Sequence, residues 1–474
     1  FSLAATMLRW HFLPLCGLAL CALPALQGSS AFLSQNLFQH GRNVNAASQS
    51  DPEPLESATP LPPGLPTAKL LNVFFDDTAS FLSPRDMKLL RRKEKFGPIF
   101  KTNFLFQPTV FVSQDVLIQE LARQEAVKEL KAFFPPHHRT LFGPNSLLVQ
   151  SGPVHQRMRK LVMSSMTPAM ISSYEPMVEV SIKSFFQDNA STEYVEMVPR
   201  VRNLFLSILL QIVLGTTDVS QELRSDIDLW AKGLLAPPLT FVPWSTAAKA
   251  LRARARVVAK LEALMENPPT KGLMATLLQA RDGDETLSRE EILDNLFTLV
   301  FAGSDTTSSA AISIWMTLSQ QPQLLQELKE GARSPELVES FVQSILEAFP
   351  PAPFQMRVTT QDLEVGGYRI PANWQVAYGY AAALHGSPVP SHLTLSSSLP
   401  LSASPASSSS LAFGQGPRKC PGRYLAVMEL KAFTKVLIQQ NWEMDPGQTL
   451  EQTYTPGFFP VDLFRVQLKP SQEP

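Results

Sequence analysis

The stretch "FGQGPRKCPGR", Phe413 to Arg423, places a cysteine where chemistry is possible. The chain holds three cysteines, Cys16, Cys21 and Cys420, and the first two lie in an apolar N-terminal run. If that run is removed one thiol remains, and one thiol cannot close an internal disulfide. Cys420 is then either inert or chemically employed, and a free cysteine is commonly a small buried apolar residue. Here it follows a turn with Gly414, Gly416 and Pro417 and precedes "YLAVMELKAFTKVLIQQ", a strong helix pattern. A helix N-terminus stabilises a thiolate, and Arg418 supplies a cation for a nearby anionic group. A thiolate ligand, an adjacent arginine and a loop that lets backbone approach closely suit a flat anionic metal cofactor.

A second group of reactive types is "AGSDTTSS", Ala302 to Ser309. Asp305, Thr306 and Thr307 can be a polar patch bonding neighbouring helices, or an acid–alcohol pair that passes protons in a dry pocket. The element that carries them is a long helix. Ser288 with Glu291 three residues on forms a capping box, and the pattern runs to about Gln320, with Pro322 beyond it. Between Asn295 and Gln326 Asp305 is the only charged residue, so the helix is buried nearly all round. Gly, Ser, Asp and Thr in its centre favour a kink or local opening.

Phe413, Gly414, Gly416, Arg418, Cys420 and Gly422 fit Phe-x-x-Gly-x-Arg-x-Cys-x-Gly, the heme-binding signature of the cytochromes P450, and "AGSDTT" matches that family's central-helix motif. From about Leu61 to the C-terminus the chain resembles this family. The resemblance implies a mainly α fold with a minor β part, the long helix lying over heme b (iron protoporphyrin IX). It implies that Cys420 is the axial iron ligand and that Arg418 binds a propionate, with Phe413 beside the sulfur and Gly414 and Gly422 shaping the loop. Asp305 and Thr306 would deliver protons to bound O2, with Ala302 and Gly303 lining the oxygen groove. "HQRMR" places His155 and Arg159 four residues apart on one helix face, where the family has two propionate-facing residues. Arg357 in "PPAPFQMR" resembles another propionate-binding arginine. By the same analogy Phe354, Met356, Phe458 and Phe459 line the substrate pocket.

The resemblance breaks at two places. The family's Glu-x-x-Arg pair falls on Ser344 and Glu347, on a helix capped by Ser334, opened by Pro335 and ended by Pro350. A lone buried Glu347 would cost several kcal/mol unless re-paired or protonated. The second arginine of that network is missing too. No charged residue lies between Arg369 and Arg418, and half of "SHLTLSSSLPLSASPASSSS" (391–410) is serine. Such a tract fits disorder or a damaged gene model, and the chain as written is expected to bind heme weakly or fold poorly.

The remaining chain sets the frame. At 474 residues with 44% hydrophobic content there is ample material for a large core, and a net charge of -1 gives no reason to expect nucleic acid. Residues 1–50 contain no Asp or Glu, and Arg9 precedes the run "FLPLCGLALCALPAL". This fits a signal peptide, a membrane anchor or a transit segment. Together the two parts resemble the leaders of algae with complex plastids, which points to membrane-associated endoplasmic reticulum or plastid. Residues 51–66 form a proline-rich linker, and 67–474 form the heme domain. A strand pair is predicted between Pro98 and Ser113, helices from Gln114 to Gln343, and short strands from Glu364 to Tyr378.

The reading is a heme-thiolate monooxygenase. It takes electrons from a reductase or ferredoxin and inserts one oxygen atom from O2 into a hydrophobic small molecule. Around the central helix the sequence resembles the retinoid- and sterol-oxidising branches, so an isoprenoid, sterol, retinoid or fatty acid is expected. The rivals are a degenerate heme-binding protein and a reductase-independent, peroxide-rearranging member of the family.

Overall fold

The computed structural model describes residues 59–67, 76–78, 88–128, 130–216, 219–234, 236–331, 334–384, 411–454 and 457–469. The leader and the serine tract lie outside them. Residues 59–66 of the proline-rich stretch are tied to the fold: Lys101 N–H donates to Pro63 O (2.8 Å), and Leu65 N–H donates to Lys101 O (3.0 Å). Proline lacks a donor and so tolerates such an edge position.

The helices in chain order are α1 (Lys88–Phe96), α2 (Asp115–Lys128), α3 (Pro136–Phe142), α4 (Gly152–Ser164) and α5 (Pro168–Asp188). There follow α6 (Met197–Leu214), α7 (Gln221–Leu234), α8 (Thr246–Glu266), α9 (Leu273–Gln279) and α10 (Arg289–Gln320). The last are α11 (Pro322–Glu330), α12 (Pro335–Ala348), α13 (Tyr380–Leu384) and α14 (Arg423–Leu437). The predicted strand pair is β1 (Ile99–Phe104) and β2 (Gln107–Val112), antiparallel with Ile99 opposite Val112. It joins β3 (Lys131–Ala132), β5 (Gln355–Val358) and β8 (Gln375–Tyr378) in a five-stranded sheet, order β1-β2-β8-β5-β3, in which β2 and β8 run parallel. Smaller sheets pair β6 (Leu363–Val365) with β7 (Tyr368–Ile370), and β10 (Gln452–Tyr454) with β11 (Phe458–Pro460). A third holds β4 (Val195–Glu196), β12 (Arg465–Lys469) and β9 (Asn441–Met444). The fold is mainly helical with small sheets, as expected.

The central helix α10 forms as its sequence dictates. The Ser288 side chain accepts from Glu291 N–H while Glu291 accepts from Ser288 N–H, both halves of the capping box. A cap of this kind stabilises by about 1 kcal/mol. The helix is buried on almost every side, against α6, α14, α12 and α8 among others. Trp315 at its C-terminal end is fully buried among Phe186, Phe433, Trp442 and Phe464. The apolar helix α6 is long and hydrophobic enough to cross a membrane, yet it is mostly buried as a core helix. The expected kink does not interrupt α10, which is helical from Arg289 to Gln320. Its central hydroxyls turn back on their own helix: Thr306 Oγ1 donates to Ala302 O (2.6 Å) and Ser308 Oγ to Ser304 O (2.6 Å).

Candidate active site

Cys420 is held by a compact loop. Its N–H donates to Phe413 O (2.8 Å), Gly414 N–H to Leu411 O (2.9 Å), and Lys419 N–H to Gly416 O (3.1 Å). Gly414 and Gly416 both have positive φ, 73° and 67°, and a Cβ on Gly416 would lie 2.8 Å from Ala122 Cβ on α2. Only glycine allows this close approach. Gly422 caps α14, so the cysteine stands just before a helix N-terminus. Cys420 is the free cysteine among the described residues and is half-buried. Burial pushes its thiol up, against a hydrogen bond from Gly422 N–H and the charges of Arg159 and Arg423.

Beside the loop four basic side chains converge from two elements and the cysteine loop itself. His155 and Arg159 come from α4, Arg357 from β5, and Arg418 from the short turn Gly416–Arg418. His155 is buried, and burial together with the charges of Arg418, Arg159 and Arg357 lowers its pKa to about 3. One carboxylate answers them. Glu125 Oε1 on α2 accepts from Arg357 Nε (2.7 Å) and from Arg418 Nε (3.0 Å). Arg418 also donates to Ser151 Oγ (2.9 Å) and to Gln150 O, while Arg159 donates to Lys419 O (2.6 Å). Burial lowers Arg418 to about 10, with Arg357 adding to the shift and Glu125 opposing it.

The two halves of the acid–alcohol motif point different ways. Asp305 is buried and pairs with Arg202 of α6, at 2.9 Å to Nε and 2.8 Å to the second guanidinium nitrogen. Burial raises its pKa, Arg202 lowers it and Asp228 raises it again. A water-sized cavity of about 40 Å³ adjoins this pair, lined by Arg202, Asn203, Asp228, Ser304 and Asp305 among others. Along α10, Leu299, Phe301, Ala302, Gly303 and Thr306 are left partly or fully uncovered in a buried stretch; Phe301 turns to the cavity beside Asp305, and the other four fall together. Their spacing is that of one helix face. Gly303 also serves packing, since a Cβ there would lie 2.7 Å from Leu209 Cδ2 of α6. Thr307 is buried and bonds the Glu429 carboxyl of α14; burial raises Glu429 to about 8.

Of the pocket residues expected from resemblance, Phe354 and Met356 share a small apolar cluster with Phe100, Phe104 and Phe111. Phe458 and Phe459 are neighbours on β11 and so face opposite sides. Phe459 belongs to the main core, with the Arg202 guanidinium 5.0 Å from its ring centre. Ser309 Oγ accepts from Phe458 N–H and donates to Phe458 O, both at 3.0 Å. Ser344 is buried and donates to Ser340 O (2.9 Å). Glu347 is half-buried and accepts from Gln343 Nε2 (3.0 Å). The cost argued for a lone buried carboxylate does not arise, because this one has both solvent and a donor.

Glu125, Arg202 and Glu429 escape a reading of the sequence alone. Their partners stand 232, 103 and 122 positions away, and no local spacing announces such pairs.

Set against known proteins, this arrangement falls in one family. The cytochrome P450 family profile matches residues 83–465, and the chain belongs to that family. It is similar to the structure of a retinoic acid-bound cyanobacterial CYP120A1, with a TM-score of 0.74 and 27% identity over 87% of this chain and 99% of that one. Cytochrome P450 26A1 of Danio rerio is 26% identical over 85% of this chain and 89% of its own length. Abscisic acid 8'-hydroxylase 2 of Arabidopsis thaliana is 26% identical over 78% of this chain and 82% of its own. Membership implies a thiolate-ligated heme, a redox partner and a hydrophobic substrate.

Proposed function

We propose that this protein is a heme-thiolate monooxygenase acting on an apolar isoprenoid, with Cys420 as the iron ligand. One observation carries the reading: a half-buried thiol stands beside a buried cationic cluster that has, among the described residues, a single carboxylate. The donor set fits heme. A soft sulfur suits iron, and Arg159, Arg357 and Arg418 with a single Glu125 leave positive charge for the two propionates. The bound heme would supply the activation of O2 and the transfer of one oxygen atom to substrate.

The chain's own residues supply the rest. The uncovered face of α10 at Ala302 and Thr306 offers a hydroxyl and a small side chain where a flat group needs clearance. Thr306 would hand a proton inward, and Asp305 would replenish it from the cavity it shares with Asp228, its pairing with Arg202 holding the carboxyl in reserve. A groove of about 350 Å³ reaches Phe413; Lys419 and Arg423 border it together with Glu175 and the Lys431–Glu339 pair, leaving a small positive excess on the approach to the sulfur side for an electron donor. The α7–α8 connection exposes Phe241 (80%) and Trp244 (76%), apolar side chains suited to a membrane surface. The isoprenoid assignment rests on relatives named for retinoic acid and abscisic acid, both isoprenoid carboxylates.

The test is to reconstitute the full chain with heme, reduce it under carbon monoxide and add retinoic acid and abscisic acid with a reductase. A red-shifted thiolate Soret band with hydroxylated product is expected. A normal band without product from any isoprenoid would overturn the substrate assignment, and absence of the band would overturn the thiolate.

A further inference from the structure

We infer that Glu125 is a positioning residue for the cofactor's carboxylates, holding Arg357 and Arg418 together and setting the charge of the cluster to match two propionates. The inference rests on the proposed heme site. Glu125 is buried, its side chain 3% exposed, as are Arg357 (4%) and Arg418 (10%). A buried carboxylate survives only when its partners repay its lost hydration. Glu125 meets that condition through one oxygen. Oε1 takes the Nε of both arginines, whereas Oε2 is buried with no hydrogen-bond partner among the described residues. A carboxylate placed only to neutralise one arginine would be expected to engage it with both oxygens. This one bridges two.

The remaining donors of each guanidinium are anchored to the frame. Arg357 donates to Met356 O and to Gln355 Oε1, both at 3.0 Å, and its guanidinium carbon lies 5.1 Å from the Tyr378 ring centre. Arg418 reaches Leu148 O (3.4 Å), Gln150 O and Ser151 Oγ. Glu125 is therefore the charged link between a strand and the cysteine loop, alongside two neutral ones: Tyr380, which bonds Gln355 and the Gln415 backbone, and Ser151 Oγ, which accepts from Arg418 and from Ala132 N–H beside Arg357. The charge balance points the same way. Arg159, Arg357 and Arg418 bring three positive charges, His155 is neutral near pH 7, and Glu125 brings one negative charge. The net is two positive charges, and heme b carries two carboxylates. Without Glu125 the site would hold an unbalanced third charge.

The test uses the full chain loaded with heme and compares it with Glu125→Ala and Glu125→Gln. Two quantities are read: the rate at which heme passes to excess apomyoglobin, and the heme midpoint potential. Glu125→Ala is expected to lose heme at least about tenfold faster, because both arginines are released and left unpaired. Glu125→Gln keeps shape and acceptor but removes a negative charge, so its midpoint potential is expected to move positive. A purely structural role would lower the unfolding temperature and leave the potential where it was. Adding Arg357→Gln to Glu125→Gln restores the charge balance and should return the potential toward that of the unsubstituted protein. If the single variants do not accumulate, this double variant decides, and its failure to accumulate and hold heme overturns the inference. Heme loss within twofold and an unshifted potential in Glu125→Gln overturn it as well. If the unsubstituted protein takes up no heme, the proposed function falls with it; if it takes up heme normally, only the role of Glu125 is at stake.

Discussion

Burial raises both Cys420 and Glu429, in separate surroundings and with different consequences. Burial raises the Cys420 thiol, so replacing sulfur by oxygen removes the only soft ligand the loop presents. Cys420→Ser is expected to fold and to lose the red-shifted Soret band of the reduced carbon monoxide complex. Retention of that band would free Cys420 from the iron. Glu429 is held as an acid, its pKa raised by burial to about 8 from an ordinary 4.5. The folded state therefore binds this proton more tightly than the unfolded chain does. Its stabilising effect is present below pH 4.5 and is lost as pH rises toward 8, by up to about 4 kcal/mol. Glu429→Gln should flatten that slope and raise the unfolding temperature at pH 8. An unchanged slope from pH 5 to 8 in denaturant titrations would assign the dependence to other groups.

The helix α10 was largely readable in advance, because its capping box, its near absence of charge and its stop are local features. Its unbroken run through the centre was not. Weak propensity in "AGSDTTSS" suggested a kink, and packing on nearly every side, with hydroxyls bonded back to carbonyls, overrides propensity. Thr306→Ala keeps the helix and deletes the hydroxyl. It should lower product formed per electron on the order of tenfold to a hundredfold, with peroxide released instead. Thr306→Ser should recover most of the coupling, and equal coupling in all three proteins would return Thr306 to structural duty. Gly303 tests the helix as a packing element. A Cβ there meets Leu209 at 2.7 Å, so Gly303→Ala should cost about 1–3 kcal/mol. Combined with Leu209→Ala the loss should be smaller than the sum of the two. Strict additivity in thermal unfolding would show that the two side chains do not meet.

Across the whole molecule, residues close in sequence were predicted well and residues joined through space were not. The strand pair, the capped helices and the cysteine loop all follow from short patterns, and the loop's match to a family motif pointed to the family to which the chain belongs. The partners of the candidate residues come from elsewhere: Glu125 on α2 bonds Arg357 and Arg418, Glu429 on α14 bonds Thr307, and Arg202 on α6 holds Asp305. The absent Glu-x-x-Arg pair suggested a damaged fold. In the structure Ser344 is satisfied by its own helix and Glu347 by Gln343 and solvent. Restoring the family's glutamate alone should therefore do harm. Ser344→Glu buries an unpaired carboxylate and should cost about 3–5 kcal/mol, whereas Glu347→Gln should stay within about 0.5 kcal/mol. A Ser344→Glu protein that unfolds at a higher temperature than the unsubstituted chain would show that the missing network is a true defect.

The inward-turned hydroxyls of α10 bear on how such a protein can diversify. Thr298, Thr306, Ser308, Ser313 and Ser319 each donate to a carbonyl four residues back. These groups need no acceptor from a facing element, so most neighbours can be exchanged without orphaning a buried donor. Ser309 differs, because it takes both its bonds from the backbone of Phe458. Backbone does not change when a side chain does. The helix thus fixes where the β10–β11 hairpin lies through atoms that every residue at 458 would carry, so the frame holds its place across substitutions there.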